Sequence, residues 1–438
     1  MQEKSKPVDN LRADAEKIIT RAIAAVLPDA AVERALKGKT FLGRVYLVAA
    51  GKAAWQMKAA WQMARAARAC LQDNFCGGVV VTKYGHVKGE IADVACFEGG
   101  HPVPDENSLR GTDAALALTE DLTESDTVVF LLSGGGSALF EKPLLPLAEL
   151  QDVTNQLLAA GADIVEINTI RKRLSAVKGG RFARHCAPAQ VFAVVLSDIL
   201  GDPLDMIASG PAYPDSSSCA QALDIAKRYG LRLSERAWTL LAQETPKTLE
   251  NVETQITGSV RELCAAAAAA CEALGYEPMI LTDCLCCEAR EAGSCEAREA
   301  GSMLASIART HARDGKNLAF LMGGETVVHL RGKGLGGRNQ EIALSAALGI
   351  EGLSNALVFS VGSDGTDGPT DAAGGIADGE TAQLMRQKGA PVTPFDAVKS
   401  LNDNDAYHAL DAVSGLLKTG ATGTNVNDVT ILLLRAAE

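Results

Sequence analysis

Short, almost unbroken apolar runs alternate with longer amphipathic segments through the first half of the chain. The runs lie at 44–50, 78–82, 127–132 and 190–196, and the segments with apolar residues at helical spacing at 10–36, 53–72, 106–121 and 147–160. A strand that reads as continuous apolar sequence is covered on both faces, and helices of this length between such strands supply the crossovers of a parallel sheet. The pattern therefore predicts a doubly wound, Rossmann-like α/β domain, whose ligand sites lie at the carboxyl ends of the strands.

The Pro/Ser-rich stretch 210–218 and the polar region 243–257 interrupt this alternation and place a boundary near 250, giving domains 1–250 and 251–438. Beyond it an Ala-rich helix is expected at 259–273, strands at 277–282, 317–322, 326–330, 356–361 and 428–434, and helices after 338 and near 380 and 405. This is a second, smaller α/β domain with a mixed sheet. A chain of 438 residues is long enough for two cores.

A net charge of −12 argues against nucleic acid or an anionic membrane as partner, so an anionic small substrate needs local basic groups. No run reaches the length of a transmembrane helix and the first ten residues lack the apolar core of a signal peptide, which predicts a cytoplasmic protein. Eleven scattered cysteines read as reduced thiols, and Cys284, Cys286, Cys287 and Cys295 lack paired metal-ligand spacing. The octapeptide 287–294 is repeated as 295–302. Eight residues turn a helix about 80° past two full turns, so two copies in one helix present different faces and an insertion at a helix start is the simpler reading.

The loops carry the chemistry. Asp364, Asp367 and Asp371 follow the strand 356–361 in a Gly-rich segment poor in bulky side chains, where Asp364 and Asp367 are candidate ligands for Mg²⁺ and its bridged phosphates; the alternative is an Asp/Gly turn cluster. Strand 127–132 runs into Ser133-Gly134-Gly135-Gly136-Ser137, a turn able to place backbone N–H groups around an anion. Strand 190–196 ends at Asp198, with Asp202 and Ser209 beyond, so Asp198 is a candidate base or ligand and otherwise a helix cap. Lys52 follows strand 44–50 through Gly51. Arg171, Ser175 and Lys178 fall on one helical face, where the cations are placed to bind an anion; the alternative is ordinary capping of a helix C-terminus before Gly179-Gly180. The 332–337 segment satisfies Gly-x-Gly-x-x-Gly, but charged flanks and the want of an acidic residue after a second strand make it a poor dinucleotide fingerprint; what survives is a Gly loop, Gly336-Gly337, delivering Arg338 to a helix start just after Glu325. The segment 101–105 reads as an extended loop ending in a helix cap at Asp105.

Taken in order, Gly51-Lys52, 100–105, 132–138, 168–180, 196–202, 208–211, 323–326, 336–341 and 365–374 resemble the bacterial glycerate 2-kinases, whose C-terminal half is the MOFRL (multi-organism fragment rich in leucine) domain. The resemblance covers nearly the whole chain. It implies ATP- and Mg²⁺-dependent phosphorylation of D-glycerate at the 2-hydroxyl in an interdomain cleft, with no nucleic acid or membrane partner and with a homodimer allowed. Lys52 and Arg338 match the family's basic active-site positions. Asp198 joins them as a catalytic candidate, and Ser133–Ser137, Arg171, Lys178, Glu325, Gly336 and Gly337 as binding candidates. Both cations are expected to be unpaired in the free protein. Ser363 departs from the commoner small residue ahead of Asp364. Relatives of this kind also carry the label hydroxypyruvate reductase, an NAD(P)H-dependent alternative supported here by the 332–337 pattern alone. A sugar-acid sensor using the same anion loops is a third reading.

Overall fold

The apolar runs become the inner strands of two six-stranded sheets in a computed structural model that describes residues 7–51, 59–71, 73–197, 199–285, 296–388 and 396–436. The first sheet contains β1 (Val45–Ala50), β2 (Phe75–Lys83), β3 (Val94–Gly99), β4 (Thr127–Leu132), β5 (Gln190–Leu196) and β6 (Val252–Gly258), in the order β3-β2-β1-β4-β5-β6. Strands β1 to β5 pair in parallel. The order reverses direction at β1 and β4, so the topological switch point, where such sheets bind ligands, lies between their carboxyl ends. β3 and β6 escaped the sequence reading because both are half-buried: the residues of β3 before Gly99 are partly or fully exposed, and β6 lies in the polar stretch expected to be a loose boundary.

The second sheet contains β7 (Glu277–Leu285), β8 (Leu318–Gly324), β9 (Ala356–Gly362), β10 (Gly374–Asp378), β11 (Leu416–Leu417) and β12 (Asp428–Leu434), in the order β11-β10-β9-β12-β8-β7. β7 runs parallel to β8 and the other neighbours pair antiparallel, which makes the sheet mixed. The strand expected at 326–330 is absent: Val327 forms an isolated bridge to Glu296 and residues 328–330 join no strand.

Two compact units result, Pro28–Thr257 and the described parts of Met1–Leu27 with Gly258–Glu438. The chain's first residues thus belong with its last, and the helix expected over 10–36 is two helices, Pro7–Ala25 and Pro28–Leu36. Pro28 has no N–H to continue the first helix and is preorganised to start the second. Leu11, Ala15, Ile18 and Ala22 are fully buried on the first helix, and Asp14 accepts hydrogen bonds from Tyr276 at 2.9 Å and from Arg435 at 2.8 Å.

In the 28–257 unit the rings of Phe130, Phe140 and Phe182 pack with centroids 4.7 to 5.5 Å apart beneath the end of β4. In the other unit Leu304, Phe320, Met322, Ile342, Val358 and Leu432 fill the space between the sheet and the helices Ala297–His311 and Arg338–Ile350. Of the duplicated octapeptide, 287–295 lies outside the described residues, and Glu296 caps the helix Ala297–His311 in a capping box with Glu299. Asp105 caps Glu106–Leu118 in the same way, as the sequence implied.

Candidate functional site

At the switch point the Ser133 N–H donates to the Ala50 carbonyl at 3.1 Å, and the Thr82 hydroxyl to the Gly51 carbonyl at 3.0 Å. Gly51 has φ +138° and a Cβ there would strike the Ser133 hydroxyl and carbonyl, so only glycine lets the two strand ends lie together. Lys52, next in sequence, and Asp198, one residue past Ser197 at the end of β5, lie outside the described residues.

Ser133–Ser137 turns through Gly135, at φ 82°, into the one-turn helix Gly136–Leu139. A Cβ on Gly136 would collide with Ala208. Ala208, Ser209 and Gly210 all have left-handed backbones, φ 52°, 61° and 63°, a conformation that costs roughly 1–2 kcal/mol per non-glycine residue. The Gly179 and Gly180 N–H groups hold this strained turn by donating to the Ser209 and Gly210 carbonyls at 3.0 and 2.7 Å. The Ser209 hydroxyl, fully buried, donates to Asn168 Oδ1 at 2.9 Å and lies 3.2 Å from Ser137 Oγ.

Arg171, Ser175 and Lys178 do not share a helical face. The helix Ile164–Arg173 stops at Leu174, and Ser175 bridges to Pro143. Arg171 and Lys178 nevertheless meet: Arg171 Nη2 and Lys178 Nζ donate to the Ser137 carbonyl at 3.0 and 2.8 Å. Lys178 Nζ also donates to the Phe140 carbonyl at 3.0 Å and lies 3.5 Å from Glu141 Oε2, with both charged side chains fully buried. Burial pulls the Lys178 ammonium from its usual 10.5 to about 8 against the opposing pull of Glu141, and burial likewise lowers Arg171. The neighbouring Lys172 and Arg173 point elsewhere, to a buried network around Asp215 at 3.0 and 3.6 Å.

In the other unit Arg338 opens the helix Arg338–Ile350. Its Nε and Nη2 bind both oxygens of Asp428 at 2.5 and 3.2 Å, and Nη1 reaches Glu325 Oε1 at 2.6 Å. Burial works against the Arg338 charge but Asp428 outweighs it, and Arg338 is held above its ordinary range; burial raises Asp428 despite the guanidinium. The expectation of an unpaired cation is thereby corrected. Asp428, the first residue of an otherwise apolar strand, is the partner that sequence reasoning missed.

Asp367, expected beside Asp364 as a metal ligand, is instead committed to the helix end. Its oxygens accept the Asn339 and Gln340 N–H groups at 3.1 and 2.9 Å, two of the donors a helix start leaves unsatisfied. A Cβ on Gly337 would occupy the position of that carboxylate, which explains the glycine. Burial, with the Asp428 charge adding to it and the helix donors opposing, raises Asp367 to about 6. Asp364 Oδ1 accepts from the Thr366 N–H at 2.8 Å and its hydroxyl at 3.0 Å, and Asp371 turns outward to Tyr407 and Lys418. Asp364 and Asp428 flank Gly362: a Cβ there would lie 3.4 Å from an oxygen of each. No three His, Cys, Asp or Glu side chains form a metal-binding group among the described residues. Ser363 ties the loop to its neighbour, its hydroxyl accepting the Val426 N–H at 2.8 Å.

The Gly332 segment is closed by the protein itself. The N–H groups of Arg331 and Gly332 donate to Asn404 Oδ1 at 2.7 and 3.0 Å, those of Lys333 and Leu335 to Asp403 and Asp405 carboxylates at 3.1 Å each, and that of Gly334 to the Asp403 carbonyl at 2.8 Å. A phosphate would have to displace these acceptors.

Residues 14–242 match a domain of unknown function and residues 318–428 match the MOFRL family. The chain is 50% identical to the D-glycerate 2-kinase of Thermotoga maritima over 97% of this chain and 99% of that protein. It is 38% identical to a putative hydroxypyruvate reductase of Agrobacterium vitis over 95% of this chain and 93% of that one. The crystal structure of a glycerate kinase from Thermotoga maritima superposes with a TM-score of 0.88 at 49% identity, covering 97% of this chain and 100% of that one.

Proposed function

Since the chain belongs to the glycerate 2-kinase family, we propose that it transfers the terminal phosphoryl group of ATP to the 2-hydroxyl of D-glycerate, giving 2-phosphoglycerate. It is a phosphotransferase, and the reductase name borne by some relatives is secondary. One observation carries the choice: in the loop whose glycine pattern suggested a dinucleotide, the N–H groups of Gly332 to Leu335 are consumed by Asp403, Asn404 and Asp405, which takes from the alternative the backbone donors at the first two glycines of its phosphate cradle.

The roles follow from what phosphoryl transfer demands, namely alignment and neutralisation of charge on the transferring group. Lys52 and Arg338 supply the positive charge, and Arg338 is preorganised for it because Asp428 and Glu325 hold three of its nitrogens. Asp198 takes the proton from the attacking hydroxyl. The Ser133–Ser137 loop, at the switch point, binds an anionic group of substrate or nucleotide through backbone donors, while Gly336-Gly337 serves nucleotide binding by delivering the Arg338 guanidinium, braced by Glu325, the helix-start N–H groups of Asn339 and Gln340 being already taken by Asp367. The hard oxygen donors of Asp364 suit Mg²⁺, which commonly takes one or two protein carboxylates and completes its shell with phosphate oxygens and water. When bound, Mg²⁺ would supply neutralisation of the phosphate charge that phosphoryl transfer requires.

With ATP as co-substrate we assign the protein to the cytoplasm, and we carry forward a homodimer, which sedimentation at two concentrations would check. The deciding experiment incubates the protein with D-glycerate, ATP and Mg²⁺, and separately with hydroxypyruvate and NADH or NADPH. ADP and 2-phosphoglycerate are expected in the first mixture. Rapid oxidation of the nicotinamide without any ADP would overturn the reading.

A further inference from the structure

Two buried cations converge on one carbonyl behind the anion loop, and the kinase reading gives them no substrate to touch. The Ser137 carbonyl takes Arg171 Nη2 and Lys178 Nζ together, while Lys178 also grips the Phe140 carbonyl at the other end of the one-turn helix Gly136–Leu139. A cation at the C-terminal carbonyl of a helical turn is favoured by its dipole, and contacts at Ser137 and Phe140 together fix the turn at two points. The hydroxyl side of Ser137 is fixed as well, by the Ser209 hydroxyl at 3.2 Å, itself held by Asn168 and by a strained left-handed turn.

Glu141 is the third buried charge. Its two carboxylate oxygens accept no hydrogen bond, yet one lies 3.5 Å from Lys178 Nζ. A carboxylate is expensive to bury without donors and is retained only when a cation beside it offsets the cost. Lys178 therefore divides its three protons between two carbonyls and the field of this carboxylate, and has no spare donor for a ligand.

We propose that Lys178 and Arg171 are positioning residues, holding the Ser133–Ser137 loop in its anion-receiving shape through the Ser137 carbonyl, with Glu141 as their buried counter-charge. This revises the sequence expectation that both bind substrate or nucleotide directly. The proposal rests on the kinase reading only for what the loop receives.

The charged groups facing Lys178 are Glu141, just after the short helix, and Arg171, on the helix Ile164–Arg173. Arg171 does not titrate in the working range, so loss of the Lys178 proton unlocks the loop while leaving Arg171 charged. The signs of two effects then differ. A lysine whose folded-state value lies below its unfolded value binds more protons when unfolded, so between about 8 and 10.5 its contribution to stability rises with pH. Activity should fall over the same interval. A residue that only supports the fold would not separate the two.

The test measures glycerate-dependent ADP release between about pH 7 and 10, thermal midpoints, and amide hydrogen exchange of peptides covering 133–140, in wild type, Lys178→Arg and Lys178→Met. Wild type should lose kcat with an alkaline midpoint near 8 without a matching loss of thermal stability. Lys178→Arg should move that limb upward, and Lys178→Met should lower kcat about 10²-fold at neutral pH, with little change in either KM and faster exchange in the loop. A raised KM for glycerate or ATP with unchanged exchange would make Lys178 a ligand-binding residue and overturn the proposal; so would an alkaline limb that stays in place in Lys178→Arg. Should either variant fail to fold, the wild-type pH profile and exchange still decide. Should the wild type phosphorylate no glycerate, the kinase reading fails while loop exchange against pH continues to test the positioning role.

Discussion

Arg338 and Asp428, 90 residues apart, form a two-pronged ion pair in which the carboxylate is buried and the guanidinium keeps about a third of its side chain in water. The pair joins the start of the helix Arg338–Ile350 to the start of β12. It fixes where the guanidinium points before any ligand arrives, which is the form of preorganisation that phosphoryl transfer rewards.

Arg338→Ala should lower turnover by roughly 10³-fold, the scale of losing an arginine at a transferring phosphoryl group. Unlike a free surface cation, it should also lower the melting temperature, because Asp428 is left buried without its partner; about 3 kcal/mol is expected, the low end for a broken buried pair because Arg338 is 35% exposed. Adding Asp428→Asn to Arg338→Ala should recover most of the stability and none of the rate. Melting curves and kcat for the two single variants and the double variant check this; additive stability losses would show that the two side chains do not act as a pair.

Asp364→Asn should lower turnover and raise the Mg²⁺ concentration needed for half-maximal rate, since Asp364 is the candidate ligand whose carboxylate is not committed to a helix end. Asp367→Asn should leave the Mg²⁺ titration close to wild type. An equal rise in Mg²⁺ requirement for both would restore Asp367 as a ligand.

Asp367 also gives a pH signature. A carboxyl raised to about 6 in the folded protein holds its proton more tightly there than in the unfolded chain, so its unfavourable burial is relieved as pH falls through about 6 toward the ordinary carboxylate range. Wild type should therefore gain stability relative to Asp367→Asn between pH 6 and 4, measured by thermal melting. At neutral pH Asp367→Ala should lose about 0.5–2 kcal/mol, the usual effect of removing a helix cap.

How far the sequence foretold all this depended on where each signal was stored. The inner strands β1, β4, β5, β9 and β12 are nearly or wholly buried on both faces, so their identity is written as unbroken apolar runs. β3 and β6 are half-covered and carry no such run. The Gly loops were legible because a strand followed by glycines is a local pattern. What closes them was not: the donors of 331–335 are consumed by Asp403, Asn404 and Asp405 some 70 residues on. Charge in the sequence says that Arg171 and Lys178 are cations, but only packing reveals that they face the back of the loop.

Deleting 295–302 should leave a protein as stable and active as the full chain. The second octapeptide is well used: Glu296 caps the helix Ala297–His311, Arg298 pairs with Glu341 at 3.2 Å and donates to the Leu401 carbonyl at 3.0 Å, and the Ser302 hydroxyl meets Ser345 at 3.1 Å. A Cβ at Gly301 would collide with the Ile342 carbonyl, so the helices Ala297–His311 and Arg338–Ile350 cross closely there. Removing any one of these groups should cost stability; Arg298→Ala strands the buried Glu341. The deletion removes none of them in effect, because 287–294 has the same sequence and becomes joined directly to Met303. Glu288, Arg290, Gly293 and Ser294 then stand where Glu296, Arg298, Gly301 and Ser302 stood, and only the length of the connection after β7 changes, which costs little. The melting temperature should match wild type to within the effect of about 0.5 kcal/mol, as for a surface change. Arg290→Ala in the shortened chain should then destabilise as Arg298→Ala does in the full one. A shortened chain that folds but does not turn over would show that the length of this connection matters to the reaction.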